Sequence, residues 1–346
     1  MTKSVKIGNL TIGGGNKIAV QSMTTFKPSD IVNSIKQISA LQDAGCDIVR
    51  FSVQSDADVL AIKEIKKNVS VPLVADIHFD YKLAIGAIEA GVDKIRINPG
   101  NIGSDENIKK VADCLKYHKI PVRVGSNTGS IEKEFLEKYG KNEISLVESA
   151  LKNVSVLEKQ GVNDIVISVK ASDVSLMVKA YEYLSKKSDY PLHLGVTEAG
   201  TYTSGVIKNS IGIGSLLLKG IGDTLRVSLS ADPIKEVETA KEILRALSLE
   251  KDFVEIVACP TCGRCEWDCM SFAEEISSLT KNIRKKLKVA VMGCVVNGPG
   301  EARDADLGIA GGKDKAVLFK NGELYKTVSF NDAKEEFIKE IKSCLK

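Results

Sequence analysis

From residue 18 onward, short runs of Val, Ile and Leu alternate with longer stretches whose apolar residues recur every three or four positions. The short runs predict strands and the longer stretches predict amphipathic helices. The strand runs are Ile18-Ala19-Val20-Gln21, Ile48-Val49-Arg50-Phe51, Leu73-Val74-Ala75-Asp76 and Ile95-Arg96-Ile97-Asn98, then Val122-Arg123-Val124-Gly125, Ile165-Val166-Ile167-Ser168, Leu192-His193-Leu194-Gly195 and Leu225-Arg226-Val227-Ser228. Helical patterns fall between them, among others over 29–44, 55–68, 104–117, 143–160, 173–187 and 232–248. Strands separated by helices pair in parallel, because only parallel pairing needs a crossover. Eight such units predict an α/β fold, a closed (β/α)8 TIM-type barrel. An open doubly wound sheet is the rival, but no glycine-rich dinucleotide fingerprint follows the first strand. Instead Gly13-Gly14-Gly15 precedes it, and with Val5-Lys6-Ile7 and Leu10-Thr11-Ile12 it predicts a hairpin covering the barrel's lower end. The connection 128–142 carries an extra charged helical piece from Glu132 to Tyr139.

The pattern changes after residue 250. A strand over 253–258 leads into a cysteine-rich segment and a helix over 270–284, and a second strand, 289–294, ends in a glycine-rich loop. Leu307-Gly308-Ile309-Ala310, a hairpin turning at Asn321-Gly322 and a helix over 331–343 complete a small α+β domain. The chain therefore divides into a barrel over 1–250 and an α+β domain over 251–346, with a linker near 249–252.

Composition narrows the function. The 346 residues carry 48 Lys+Arg against 45 Asp+Glu, a net charge of +3. That balance excludes a generic polyanion binder and a basic membrane-surface protein, both of which need a strongly positive field. No run approaches the ~20 apolar residues of a bilayer span. The start, Met1-Thr2-Lys3-Ser4-Val5-Lys6, lacks a secretion signal, so a cytoplasmic protein is expected. Of eight cysteines, four lie within 259–269. In a reducing compartment such clustering points to metal or redox chemistry more than to disulfides. Cys46 and Cys114, in apolar helical contexts, read as core residues, and Cys344 carries no signal.

In a barrel, chemistry takes place at the carboxyl ends of the strands. Those ends bring Gln21, Arg50, Asp76 with His78, Arg96 with Asn98, Arg123 with Asn127, Lys170, Glu198, and Arg226 with Ser228. Five are cations. Buried Arg and Lys need partners, so an anion filling the mouth is expected, and Arg forks suit phosphate oxygens. The plainer alternative sends single side chains outward to helix carboxylates, but five cations recurring at equivalent places argue against it for the whole set. Glu198 faces cations that favour its ionised form; it can pass protons to a leaving hydroxyl, with a salt bridge to Lys170 or Arg226 as the structural alternative. His118, at a helix end, and His193, in mid-strand, read as structural.

The segment Cys259-Pro260-Thr261-Cys262-Gly263-Arg264-Cys265-Glu266-Trp267-Asp268-Cys269 has C-x2-C-x2-C-x3-C spacing, the run of bacterial [4Fe–4S] ferredoxins. Four thiolates also suit structural zinc. Spacing leaves the ligand set open. The cysteines of the run compete with Cys294-Val295-Val296-Asn297-Gly298-Pro299-Gly300-Glu301, whose Gly-Pro-Gly turn can bring Glu301 back to the same metal. Three thiolates with one carboxylate would leave one iron able to exchange its oxygen ligand for a substrate oxygen. Four thiolates would leave electron transfer alone.

These residues resemble the hydroxymethylbutenyl diphosphate synthase family. The likeness rests on Cys259-Pro260-Thr261-Cys262-Gly263-Arg264 with Cys294 to Glu301, on Val20-Gln21-Ser22-Met23-Thr24, on Ile95 to Asn101, and on Val196-Thr197-Glu198-Ala199-Gly200. It covers essentially the whole chain, at the length of the short bacterial two-domain form. The resemblance implies a two-electron reductive opening and dehydration of a cyclic diphosphate of methylerythritol, with flavodoxin or ferredoxin as electron donor. It implies a [4Fe–4S] cluster on Cys259, Cys262, Cys294 and Glu301. Substrate binding is implied for Arg50, Asp76, His78, Arg96, Arg123, Asn127, Lys170, Arg226 and Ser228, and catalytic assistance for Glu198. It also implies a homodimer in which the cluster domain of one chain covers the barrel mouth of the other, with no role for nucleic acid or membrane. Cys265 and Cys269 depart from the family's pattern and are expected to be bystanders. Two readings of other classes remain: a zinc-stabilised scaffold that binds a phosphorylated ligand, and an electron-transfer or cluster-carrier module on a phosphate-binding barrel.

Overall fold

The computed structural model describes every residue except Glu266, Asn282, 296–299, Glu301, Lys313 and Lys346. The chain divides into two compact units, Met1–Leu249 and Glu250–Lys346. Among the described residues, no helix is long and apolar enough to cross a membrane.

The first unit opens with an antiparallel hairpin, β1 (Val5–Ile7) and β2 (Leu10–Ile12). Eight strands then follow in parallel: β3 (Ala19–Met23), β4 (Ile48–Ser52), β5 (Leu73–Asp76), β6 (Lys94–Ile97), β7 (Val122–Asn127), β8 (Ile165–Lys170), β9 (His193–Leu194) and β10 (Thr224–Leu225). They lie side by side from β3 to β8, while β10 sits between β3 and β9. A parallel bridge between Ile167 and Leu192 joins β8 to the β9 end, and the sheet closes into a barrel. The last two strands are shorter than the apolar runs predict. Each leaves the ladder once the chain turns toward the barrel mouth, and only single bonds persist, such as Arg226 N–H donating to the Leu194 carbonyl at 3.0 Å.

The helices start where the sequence offers a side-chain acceptor for their first free N–H groups. Ser55 accepts from Asp58 N at the start of α2 (Asp56–Asn68), and Ser104 accepts from Asn107 N at the start of α5 (Asp105–His118). Asp173 accepts from Leu176 N at the start of α8 (Val174–Lys187), and Asp232 accepts from Ile234 N at the start of α10 (Pro233–Ala246). The main core fills the space between sheet and helices, with Val49, Phe51, Ile95, Val124 and Leu194 facing Ile62, Val111, Leu146, Ala180 and Ile213. Cys46 belongs to it, and Cys114 packs against it. Val5, Ile7 and Ile12 of the hairpin pack on Ala19, Ile48, Val74 and Val166, which lie at the amino ends of barrel strands. The hairpin therefore plugs that end and leaves the carboxyl end open for chemistry. Gly13, Gly14 and Gly15 all hold positive φ. A Cβ on Gly13 would stand 2.1 Å from the Lys3 carbonyl oxygen, so the turn into the barrel requires glycine there.

The second unit is a five-stranded sheet in sequence order: β11 (Val254–Ala258), β12 (Leu287–Met292), β13 (Leu307–Gly311), β14 (Lys315–Lys320) and β15 (Glu323–Ser329). The first three strands run parallel, and the last two form a hairpin. Helix α11 (Cys269–Thr280) and the closing helix Phe330–Leu345 cover one face through Phe272, Ile276, Phe337 and Ile341. Two boundaries differ from expectation. The helix ends at Thr280, before the charged run 284–286, and β12 ends at Met292, so Cys294 lies in the following loop and not at the strand end.

Candidate functional site

At the carboxyl end of the barrel, alternation along each strand turns every second residue inward. Register then sets those residues beside one another: Asp76 pairs with Arg96 across β5 and β6, and Arg96 with Arg123 across β6 and β7. Asp76, 4% exposed, is the anchor of the group. Arg96 Nη1 lies 3.1 Å from its Oδ1, Arg50 Nε lies 3.6 Å from its Oδ2, and His78 Nε2 lies 3.8 Å from Oδ2. Burial pushes the Asp76 carboxyl up, but the guanidinium groups of Arg50, Arg96 and Arg123 outweigh it and hold it at about 2.

The cations themselves are under strain. Burial, together with Arg226 and Arg96, brings Arg50 down to about 10 despite Asp76. Arg123, 2% exposed, is pushed well down by burial and by Arg50 and Arg96. Lys170 is pushed well down by burial and by Arg123, Arg226 and Arg50. Among the described residues, Arg96 Nε and both Nε and Nη1 of Arg123 are buried without a hydrogen-bond partner. Each orphaned donor costs about 1–3 kcal/mol, a cost that an anion in the mouth would remove. Glycines make the room. A Cβ on Gly125 would lie 3.1 Å from Arg96 Nε, and one on Gly195 would lie 2.6 Å from Lys170 Nζ.

Arg226 follows the plainer expectation, a helix carboxylate. Its Nε and Nη2 reach Glu236 of α10, each at 3.2 Å. Glu236, 3% exposed, also accepts from Ser22 Oγ and the Leu229 N–H. Sequence reasoning assigned no role to Glu236, nor to Met23, whose sulfur accepts from Arg50 Nη2 at 3.0 Å and from Arg226 Nη1 at 3.7 Å. Lys94, fully buried one layer below Arg96 with Nζ 3.5 Å from Gln21 Oε1, is a sixth cation that went unread because it opens its strand. His193 is structural as expected. Its Nδ1 meets Thr224 Oγ1 at 2.7 Å, and burial with Arg123, Lys170 and Lys94 nearby pushes it well below the usual histidine range.

The remaining mouth residues differ in kind. Asn127 ends β7, and its side-chain oxygen accepts from Gly129 N. Ser228 is half-buried beside the mouth strand β10. Glu198 is exposed and, among the described residues, makes no ion pair with Lys170 or Arg226; its backbone holds φ +51.

The second unit carries the thiols. Cys259 directly follows β11, and its N–H donates to the Val291 carbonyl of β12 at 3.0 Å. Cys262 is exposed. Cys265 N–H donates to the Cys262 carbonyl, and its thiol donates to the Trp267 carbonyl at 3.1 Å. Cys269 opens α11, 3.6 Å sulfur to sulfur from Cys265; burial and the neighbouring Cys265 push it up to about 12. Among the described residues, no cysteine is joined to another by a disulfide. Among the described residues, no three His, Cys, Asp or Glu side chains converge at metal-ligand spacing. Glu301 and the turn 296–299 lie outside the described residues.

Comparison with known proteins matches a GcpE TIM-barrel domain over residues 2–241 and a GcpE protein C-terminal domain over 255–343. A 4-hydroxy-3-methylbut-2-en-1-yl diphosphate synthase (flavodoxin) of Caldanaerobacter subterraneus subsp. tengcongensis is 56% identical, covering 100% of this chain and 98% of the relative. Proteins of the same description from Fusobacterium nucleatum (55% identical, 98% of this chain, 96% of the relative) and Clostridium perfringens (52%, 99% and 98%) are similar over the same span. Among solved structures, the Yersinia pestis dihydropteroate synthase matches at a TM-score of 0.53 with 12% identity, covering 72% of this chain and 100% of its own, a likeness of fold alone.

Proposed function

The chain belongs to the GcpE family, and from that premise we propose that it is an oxidoreductase of the methylerythritol phosphate route to isoprenoids. It opens 2-C-methyl-D-erythritol 2,4-cyclodiphosphate to (E)-4-hydroxy-3-methylbut-2-enyl diphosphate. In that reaction two electrons enter, the ring carbon–oxygen bond to phosphate breaks, and a hydroxyl takes up a proton and leaves as water. Reduced flavodoxin is the electron donor named for the relatives and is the donor proposed here.

The observation that carries this reading is the buried Arg123, whose Nε and Nη1 lack acceptors among the described residues. A cyclic diphosphate brings the acceptors and the negative charge that Arg50, Arg96, Arg123, Lys170 and Arg226 need. Asp76 fixes Arg50 and Arg96 beneath the ligand, and Glu236 fixes Arg226 from the side. His78, Asn127 and Ser228 line the rim and orient the diphosphate and the carbon chain. Glu198 passes a proton to the departing hydroxyl. Its left-handed backbone costs about 1–3 kcal/mol, a strain consistent with a side chain aimed by function rather than by packing.

The donor set of the second unit suits an iron–sulfur cluster. Cys259, Cys262 and Cys294 are outside any disulfide, and Cys259 and Cys294 stand just past the carboxyl ends of the paired parallel strands β11 and β12. These three with Glu301 would hold a [4Fe–4S] cluster, leaving Cys265 and Cys269 outside the ligand set. When bound, the cluster supplies electrons singly and one iron whose oxygen ligand exchanges. We further infer a homodimer in which the cluster unit of one protomer covers the barrel mouth of its partner, keeping water from the reacting carbons.

The test is anaerobic purification with metal analysis, followed by turnover with the cyclic diphosphate and reduced flavodoxin. About four irons per chain and formation of the enyl diphosphate are expected, and Cys294→Ala removes the iron. A colourless chain with one zinc, or an iron-replete chain that leaves the cyclic diphosphate intact, overturns the reading.

A further inference from the structure

Two cysteines of the second unit have no part in the proposed reaction, yet their thiols lie close together. Cys265 and Cys269 lie 3.6 Å apart, sulfur to sulfur, in hydrogen-bond contact and without a disulfide between them. Their separation is held from three sides. The buried Trp267 between them donates from Nε1 to the Met292 carbonyl at 3.2 Å. Its ring lies against Gly311, where a Cβ would come within 2.4 Å of Nε1. Asp268 caps α11 by accepting from Ser271 N at 3.1 Å, which fixes Cys269 as the first helical residue. A disulfide needs the sulfurs at about 2.05 Å, so closure asks the pair to approach by roughly 1.5 Å, within reach of side-chain rotation. The two differ in access: Cys265 is partly exposed, and Cys269 is 2% exposed.

The sulfurs also lie against the loop that carries Cys294. A Cβ on Gly293 would stand 2.8 Å from Cys265 Sγ and 3.4 Å from Cys269 Sγ. Movement of the pair therefore changes the packing directly under the residue before Cys294.

We infer that Cys265 and Cys269 form a dithiol–disulfide switch that closes when the chain lacks metal and restrains the Cys294 loop against iron loading until it is reduced. The oxidant is a low-molecular-weight disulfide such as glutathione disulfide. The Cys265 thiolate attacks one of its sulfurs, forming a mixed disulfide and releasing one glutathione thiolate. The Cys269 sulfur then attacks Cys265 Sγ, the protein disulfide forms, and the second glutathione leaves. The pair has lost two electrons and two protons, and the oxidant has become two thiols. The effect on loading rests on the reading of Cys294 as a ligand; disulfide formation does not.

Trypsin makes the test direct, because cleavage after Lys251, Arg264 and Lys281 places Cys259 and Cys262 in one peptide and Cys265 and Cys269 in the next. The full-length chain is stripped of iron with a chelator, equilibrated in glutathione buffers of rising disulfide content, quenched in acid, alkylated and digested. Peptide 265–281 should appear as an internal disulfide at a glutathione disulfide-to-thiol ratio at least about tenfold below that which oxidises peptide 252–264. Iron uptake by the oxidised chain should fall severalfold and return on reduction. In Cys265→Ser, folded by circular dichroism, Cys269 should stay alkylatable and iron uptake should be indifferent to the oxidant. Cross-linking of the two peptides, equal oxidation of both, or unchanged iron uptake by the closed form would overturn the inference. The iron content of the freshly purified wild-type chain reports separately on the cluster reading.

Discussion

Arg123→Met should stabilise the ligand-free barrel while abolishing its response to anions. Arg123 is 2% exposed, and two of its N–H groups are buried without acceptors among the described residues. At about 1–3 kcal/mol for each unmade bond, the wild-type chain carries roughly 2–6 kcal/mol of cost at this one side chain. Arg50 and Arg96 repel it further. Methionine forfeits the attraction to Asp76 and fills the space imperfectly, but its flexible thioether adapts to irregular gaps at a cost of about 1–1.5 kcal/mol. The net expectation is a gain of roughly 1–3 kcal/mol, or a melting temperature about 2–12 °C higher for a unit of this size. The two units report separately, because the only tryptophan, Trp267, lies in the second. Far-UV circular dichroism corrected for the Trp267 fluorescence transition follows the barrel. Pyrophosphate at about 100 times its Kd should stabilise the wild-type barrel by about 2.7 kcal/mol and leave the variant unmoved. If the variant melts below the wild type without ligand, or if pyrophosphate stabilises both alike, then the orphaned donors are not waiting for an anion.

Three further outcomes follow from the same site. Glu236→Gln unfastens Arg226, whose two bonds to that carboxylate are worth about 1.5–3 kcal/mol each, so KM for the cyclic diphosphate should rise about 10–100-fold with kcat less affected; an unchanged KM in steady-state assays would show that Arg226 is held by something else. Asp76, held at about 2 against an ordinary 3.8, contributes stability that is complete above pH 4 and is lost as the pH falls from 4 toward 2. At about 1.36 kcal/mol per unit this is about 2 kcal/mol, and Asp76→Asn should lack that acid limb in urea titrations run across the window. Gly195→Ala would set a Cβ 2.6 Å from both Lys170 Nζ and the Arg226 carbonyl oxygen. The lysine can swing aside but the backbone cannot, so a loss of about 1–3 kcal/mol in stability should accompany weaker pyrophosphate binding, both read by calorimetry.

The barrel was legible in the sequence because alternation and crossover length are local properties, and each βα unit repeats them. The ring of cations was legible for the same reason: Arg50, Arg96 and Arg123 each interrupt an apolar strand run, Lys170 and Arg226 close one, and parallel register brings such positions together. What the sequence concealed depends on partners distant along the chain. Glu236 stands in an ordinary helical pattern, and only the packing of α10 against β3 and β10 turns it toward Arg226 and Ser22. The positive φ of Glu198 has no residue-type signal, because glycine is what that conformation ordinarily selects. The spacing of the thiol run carries no geometry, since Trp267 and the glycines at 293 and 311 shape which sulfurs meet.

Charge shows the limit most clearly. A balance of 48 against 45 describes the chain as nearly neutral, yet folding gathers five cations around one buried Asp76 and one buried Glu236 at a single barrel end, with Lys94 one layer below. Composition averages over a surface where opposite charges are interspersed, whereas a binding site is defined by a local excess that the fold creates. The depressed Arg123, Lys94 and Lys170 measure that excess, because each is destabilised by burial and by the others. A fold that accepts this repulsion without a structural return has to recover it from a ligand, and a doubly phosphorylated ring carries enough negative charge to do so.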